Sequence, residues 1–209
     1  MSHAFRIAAA ALAAGLMTPA YAGDKFQRIE FFGAWGQIDQ NVNDVTFDGW
    51  GGGLRVVGGR RVGPFADLQA EFIPTEERDS GADLDLENYR AGVGFGLPAF
   101  QPVGFFQVKV EYVAIRLDSE LPLLVNDSQN GVGVHLQFEQ DLARNFGIHA
   151  SLGWLNLDDA DGTEYVIGFH WVPDVYGFFA QFRWDDLDLD SGADDIEVGT
   201  VRAGFRVPF

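Results

Sequence analysis

Past Gly23 the apolar residues of this chain recur at every second position, not with the 3.6-residue period of a helix. In 105–117, Phe106, Val108, Val110, Tyr112 and Ala114 share one face, while Gln107, Lys109 and Glu111 share the other. In 131–140, Val132, Val134, Leu136 and Phe138 alternate with Gly133, His135, Gln137 and Glu139. The last segment sets Val201, Ala203, Phe205, Val207 and Phe209 against Arg202, Gly204 and Arg206. Such alternation is the mark of strands with one apolar face. Ten segments carry it, near 26–36, 48–58, 65–75, 87–97, 104–117, 131–140, 146–157, 163–172, 178–187 and 196–209. Most hold about ten residues, the length of a tilted strand that crosses an outer membrane. An even count returns the C-terminus to the side of the N-terminus, as an antiparallel up-and-down barrel requires.

The connections alternate in character. Those near 59–64, 98–103, 141–145 and 173–177 are short and carry Gly63-Pro64, Gln101-Pro102, Arg144-Asn145 and Pro173-Asp174. Those near 37–47, 76–86, 118–130, 158–162 and 188–195 are mostly longer and acidic. With their shoulders they hold 23 acids and a single base, Arg78. Membrane barrels keep short turns in the periplasm and longer loops outside, so this acidity is expected to form an extracellular rim. The whole chain has 14 Lys and Arg against 31 Asp and Glu, which argues against a nucleic-acid partner. The absence of cysteine excludes a disulfide scaffold and any thiolate nucleophile or metal site. A composition that is 47% hydrophobic and 14% aromatic excludes intrinsic disorder.

Residues 1–22 read as a secretory signal: Arg6 is the positive start, Ile7 to Leu16 the apolar run, and Ala20-Tyr21-Ala22 the cleavage site, leaving 23–209 as one barrel domain. Ten apolar residues are too few to anchor a helix in a bilayer. The polar faces of the later segments hold Arg55, Arg90, Lys109, Glu111, Glu139 and Arg202, which do not make a dry core. The apolar faces are therefore expected to look outward into lipid. Aromatics mark both water boundaries: Trp35, Trp50, Tyr89, Tyr112, Trp154, Tyr165 and Trp184 near the loop ends, and Phe26, Phe65, Phe146, Trp171, Tyr176, Phe178 and Phe209 near the turn ends.

The signal, the strand–turn–strand–loop cadence and the closing segment 200–209 together resemble the OmpA/OmpX-like superfamily of small, porin-like Gram-negative outer-membrane β-barrels. The resemblance implies residence in the outer membrane among lipid and lipopolysaccharide. It also implies that the terminal Phe209 is read by the barrel-assembly machinery. Pro208 departs from the usual ending because it removes a ladder donor. Many members have eight strands, which keeps eight open as the alternative to ten.

The lumen face offers the bases Arg28, Arg55, Arg90, Lys109, Arg183, Arg202 and Arg206, and the acids Glu30, Asp67, Glu71, Glu111 and Glu139. They fit either the constriction of a narrow pore or a mutually neutralising network inside a filled barrel. Closure of first strand on last predicts Glu30 beside Arg202 or Arg206. Among the loops, Asp79-Ser-Gly-Ala-Asp83 is echoed by Asp190-Ser-Gly-Ala-Asp194. Asp186, Asp188, Asp190, Asp194 and Glu197 fall on an EF-hand-like spacing, with Ser191 where that loop needs Gly. Weak divalent-cation binding, bridging to lipopolysaccharide phosphates, is one reading of these acids; solvated loops are the other.

His135, His149 and His170 are placed by strand polarity in the barrel wall or near the periplasmic ends, away from the outer face where related barrel enzymes work. No enzymatic role follows from them. Gly51-Gly52-Gly53 and the glycines at 92, 94 and 96 match no phosphate loop, so no cofactor is expected. The sequence leads to an outer-membrane barrel acting as a narrow, cation-favouring channel or as a closed envelope scaffold. The alternative is a barrel that binds a surface ligand through its acidic loops.

Overall fold

A computed structural model describes residues 26–40, 45–77, 81–99, 104–119, 127–173, 175–189 and 195–209. The segment read as a signal, 1–22, lies outside the described residues, as do Asp190 and Asp194. The described residues form ten strands: β1 (Arg28–Gln40), β2 (Val45–Gly59), β3 (Gly63–Glu77), β4 (Asp83–Pro98), β5 (Gly104–Ser119), β6 (Asp127–Ala143), β7 (Phe146–Leu157), β8 (Ala160–Trp171), β9 (Gly177–Leu189) and β10 (Asp195–Pro208). Each pairs antiparallel with its sequence neighbour, and β1 pairs with β10, which closes the barrel. The ladder survives Pro208, because the backbone N–H of Phe209 donates to the Gln27 carbonyl at 3.2 Å.

The strands run from 12 to 17 residues, longer than the ten or so that a membrane crossing needs. The surplus lies at the loop ends, and there the burial alternation continues while the polar and apolar residues exchange faces. On β9, Phe182 faces outward and Arg183 and Asp185 face the lumen; beyond Trp184, Leu187 faces the lumen and Asp186 and Asp188 face out. On β5, Val108, Val110 and Tyr112 are outward, whereas Val113 and Ile115 are buried inside. On β7, Leu152 and Trp154 point out and Leu155 and Leu157 point in. On β4, Leu84 and Leu86 are inward before the outward row of Tyr89, Val93 and Phe95 begins. The apolar face thus changes sides within a single strand.

Physical chemistry explains the change. Within the bilayer the exterior must be apolar and the polar groups collect in the lumen. Above it the exterior meets water, and a short collar of the same barrel behaves as a soluble protein with its apolar side chains inside. Ile38, Phe47, Ile73, Leu84, Leu86, Val113, Leu155, Leu187 and Val198 join in one buried cluster that fills the loop end of the lumen. At the opposite end Phe26, Val57 and Phe65 make a second, smaller cluster, with Phe26 and Phe65 edge-on at 5.6 Å. This corrects two sequence expectations. The lumen is not polar throughout, and Phe26 and Phe65 belong to its floor, not to the lipid-facing girdle.

The outer aromatics sit within strands because the strands continue past the membrane boundary. Trp35 is directly opposite Trp50, and Tyr165 is opposite Trp184. At the turn end, Trp171 stacks on Phe178, which in turn contacts Phe205 at 5.0 Å between ring centres.

Candidate functional site

The middle of the lumen is a continuous chain of ion pairs between the two apolar clusters. Glu30 on β1 receives Arg28 at 2.8 Å and Arg206 at 2.6 Å, so the contact expected from strand closure is present. Arg55 reaches Glu30 at 3.7 Å and Asp67 at 2.7 Å. Lys109 then links Asp67 to Glu111, at 3.3 and 2.5 Å. Arg90 joins Glu111 at 3.0 Å to Glu164 and, at 3.7 Å, to Asp185. Arg183 connects Asp185 at 3.1 Å to Glu71 at 3.3 Å, and Glu71 holds Arg202 through both carboxylate oxygens. The chain passes through strands β1, β2, β3, β4, β5, β8, β9 and β10, so it cross-braces the barrel as well as filling it.

Glu139 is the one lumen acid named from the sequence that stands apart from this chain. It lies at the turn end of the lumen, where Arg61 of the β2–β3 turn donates to it at 2.6 Å and to Asp141 at 2.7 Å. The Arg61 guanidinium also rests 4.6 Å from the centre of the Phe105 ring. Burial works against its charge, but the two carboxylates outweigh that and raise its pKa above the usual guanidinium value. Arg61 therefore straps the β2–β3 turn across the lumen to β6.

Sequence reading misses Arg61, Asp141, Glu164 and Asp185. The last two fall among the acidic loops when the chain is divided by sequence, yet both are buried inside. Parity is the signal that could have found them: Asp185 is two residues from Arg183, and Glu164 is an even-numbered β8 residue like His170. Together the sixteen side chains just described, eight cationic and eight anionic, leave the described lumen formally balanced.

The histidines also point inward. His135 lies between Glu111 at 2.9 Å and Glu164 at 3.3 Å, its ring seated over Gly153, where a Cβ would collide with it. His149 and His170 are buried nearer the turns. A cavity of about 30 Å³, counted as space open to the centre of a water molecule, lies among Arg55, Gln69, Lys109, His149, Gln181 and Arg202. That is room for about two waters. Gln69 Nε2 and His149 Nε2 border it and have no hydrogen-bond partner among the described residues, so both are available to such waters.

Of the loop acids on the EF-hand-like spacing, Asp186 and Asp188 lie on β9 and Glu197 on β10, in register as Glu197 opposite Asp186 and Asp195 opposite Asp188. These described acids form part of an extended ladder on the outer surface, and Asp190 and Asp194 of the same spacing lie outside the described residues.

The exterior decides the environment. Val93, Val108, Val134, Leu152, Ile167, Phe169 and Phe205 are 46–62% exposed and form a continuous outward belt between the two aromatic girdles. An apolar surface of this extent cannot face water, and a closed barrel leaves no unpaired edge inside a bilayer. The protein is a transmembrane β-barrel of the bacterial outer-membrane type.

No known family model matches the chain, and no curated protein sequence matches it. Among solved structures, it is similar to Neisserial surface protein A, at 11% identity and a TM-score of 0.42, over 87% of this chain and 96% of that one. It is likewise similar to the outer membrane protein OprG from Pseudomonas aeruginosa, at 10% identity and a TM-score of 0.43, over 91% and 99% of the two chains. The transport unit of the autotransporter AIDA-I from Escherichia coli matches at 10% identity and a TM-score of 0.47, over 99% and 98%.

Proposed function

We propose that this barrel is a closed, non-catalytic structural component of the outer membrane and not an open diffusion channel. The observation that carries the reading is the apolar cluster at the loop end of the lumen. Once past the acidic rim, an ion entering from outside meets Phe47, Ile73, Leu84, Leu86 and Leu155, each no more than 2% exposed, before it reaches the ion-pair chain. An ion moving through that layer would shed its hydration with nothing to replace it. Below the layer the charges are paired with one another, so none is left to coordinate a passing solute. A ten-stranded barrel lies close to the size that side chains fill completely, which agrees with this reading.

The outward acids give such a scaffold a way to engage the lipopolysaccharide layer. Asp161, Asp188 and Asp195 stand in one cross-strand row, and Thr163, Asp186, Glu197 and Asp39 in the next. Directly opposed like charges destabilise a sheet, and divalent cations shared with lipid phosphates would relieve them. Stopped-flow swelling of liposomes that contain the folded protein tests the main reading. The protein should admit small sugars and amino acids no faster than empty liposomes do. Swelling whose rate depends on solute size would overturn it.

A further inference from the structure

The turn end of the lumen carries a second cluster that the ion-pair chain does not use. Asp141 on β6, Gly147 on β7 and His170 on β8 occupy one cross-strand row, with Glu139 two residues along on the same inward face. Gly147 makes the approach possible. A Cβ there would lie 2.6 Å from His170 Nε2 and 3.1 Å from Asp141 Oδ1, so any other residue would push the two side chains apart. The ladder irregularity between Asp141 and Ala143 further turns the end of β6.

One ligand atom each from Glu139, Asp141 and His170 lie within 4.8 Å of one another. His170 Nε2 is 3.8 Å from Asp141 Oδ1 and 4.0 Å from Glu139 Oε1, so the ring faces both carboxylates from beyond hydrogen-bond distance. His170 is only 6% exposed, and its Nδ1 has no hydrogen-bond partner among the described residues. A buried imidazole aimed at two carboxylates without bonding either is poorly explained as packing. It is well explained as a ligand.

We propose that Glu139, Asp141 and His170 bind a divalent transition-metal ion of the Zn²⁺ type, in competition with Arg61. One nitrogen and two carboxylate oxygens suit Zn²⁺ and its neighbours better than Ca²⁺ or Mg²⁺, which favour all-oxygen sites. Bonds of about 2.0–2.2 Å in a tetrahedral site separate ligand atoms by roughly 3.4 Å. The imidazole would therefore close on each carboxylate by about half an ångström from where it stands, a side-chain adjustment. Arg61 now holds both carboxylates, and a dication beside its guanidinium would repel it. Metal binding thus releases the strap that ties the β2–β3 turn across the floor.

Titration of the folded, detergent-solubilised barrel with Zn²⁺ by calorimetry, together with Co²⁺ absorption spectra, tests this. The expected result is one site per chain, with visible Co²⁺ bands that indicate nitrogen ligation. His170→Gln and Asp141→Asn should each weaken binding by at least about tenfold, the scale on which metal sites respond to loss of a supporting group. Arg61→Gln should tighten it by a similar factor. Asp186→Asn/Asp188→Asn, on the outer collar, should change nothing. The proposal falls if neither the unaltered protein nor folded Arg61→Gln binds Zn²⁺, or if binding survives His170→Gln. Loss of the site in the collar variant would equally refute it, by moving the ion to the loop side.

Discussion

Glu71 is where the ion-pair chain can be broken with the clearest consequence. Its side chain is fully buried, it meets Arg202 through both oxygens at 2.6 and 2.5 Å, and it meets Arg183 at 3.3 Å. Glu71→Gln keeps the volume and one acceptor but removes the charge, leaving a surplus positive charge in the buried centre of the barrel. Arg202 would retain Gln69 at 3.2 Å, and Arg183 would retain Asp185 at 3.1 Å and the Thr200 hydroxyl at 3.3 Å. Removing one partner of a buried pair costs about 3–5 kcal/mol, and the amide acceptor that remains places this variant near 3. Arg202→Gln restores the balance, so the double variant should be less destabilised than the sum of the two, by about 0.5–3 kcal/mol. Equilibrium urea unfolding in phospholipid vesicles, followed by tryptophan fluorescence, measures all four corners of the cycle. A Glu71→Gln variant within about 0.5 kcal/mol of the parent, the range of ordinary surface substitutions, would refute the claim that the lumen is closed to bulk water and charge-balanced.

Other expectations follow from where the apolar face changes sides. Leu155→Ala, inside the collar, should cost about 2–5 kcal/mol by leaving a cavity, while Leu152→Ala three residues away should cost far less because lipid replaces the lost contacts. Ile167→Arg, in the middle of the lipid belt, should cost about 2–4 kcal/mol, whereas Asp188→Arg on the outer collar, which faces Asp161 and Asp195, should not destabilise at all; equal costs in the same vesicle assay would mean that the boundary is misplaced. Gly153→Ala drives a methyl into the His135 ring and should destabilise by about 1–3 kcal/mol, with no such effect from Ala at the outward position Ser128.

The architecture is largely legible in the chain. Period-two spacing locates all ten strands, and parity alone puts Arg28, Glu30, Arg55, Lys109 and Arg202 on a common face, where the barrel holds them. The ends of the strands are harder to read, for a definite reason. A search for one unbroken alternation stops where the apolar face changes sides, as it does after Tyr112, Trp154 and Trp184. Such a search leaves Ile38 and Phe47 in a loop, and Glu164 and Asp185 in the acidic rim. Carrying the parity of each strand past its girdle aromatic reveals Val113 and Ile115, Leu155 and Leu157, and Leu187 as a second, inward apolar row. Arg61 carries no such signal, because its role depends on a turn folding back over the floor to residues about eighty positions away in sequence.

The central claim is that the lumen is sealed, and single-channel recording from the folded protein in a planar bilayer tests it most directly. With heat-modifiable gel mobility used to show that the inserted protein is folded, the account predicts no discrete openings in potassium chloride at low voltage. Stable, cation-selective steps from the unaltered protein would contradict it.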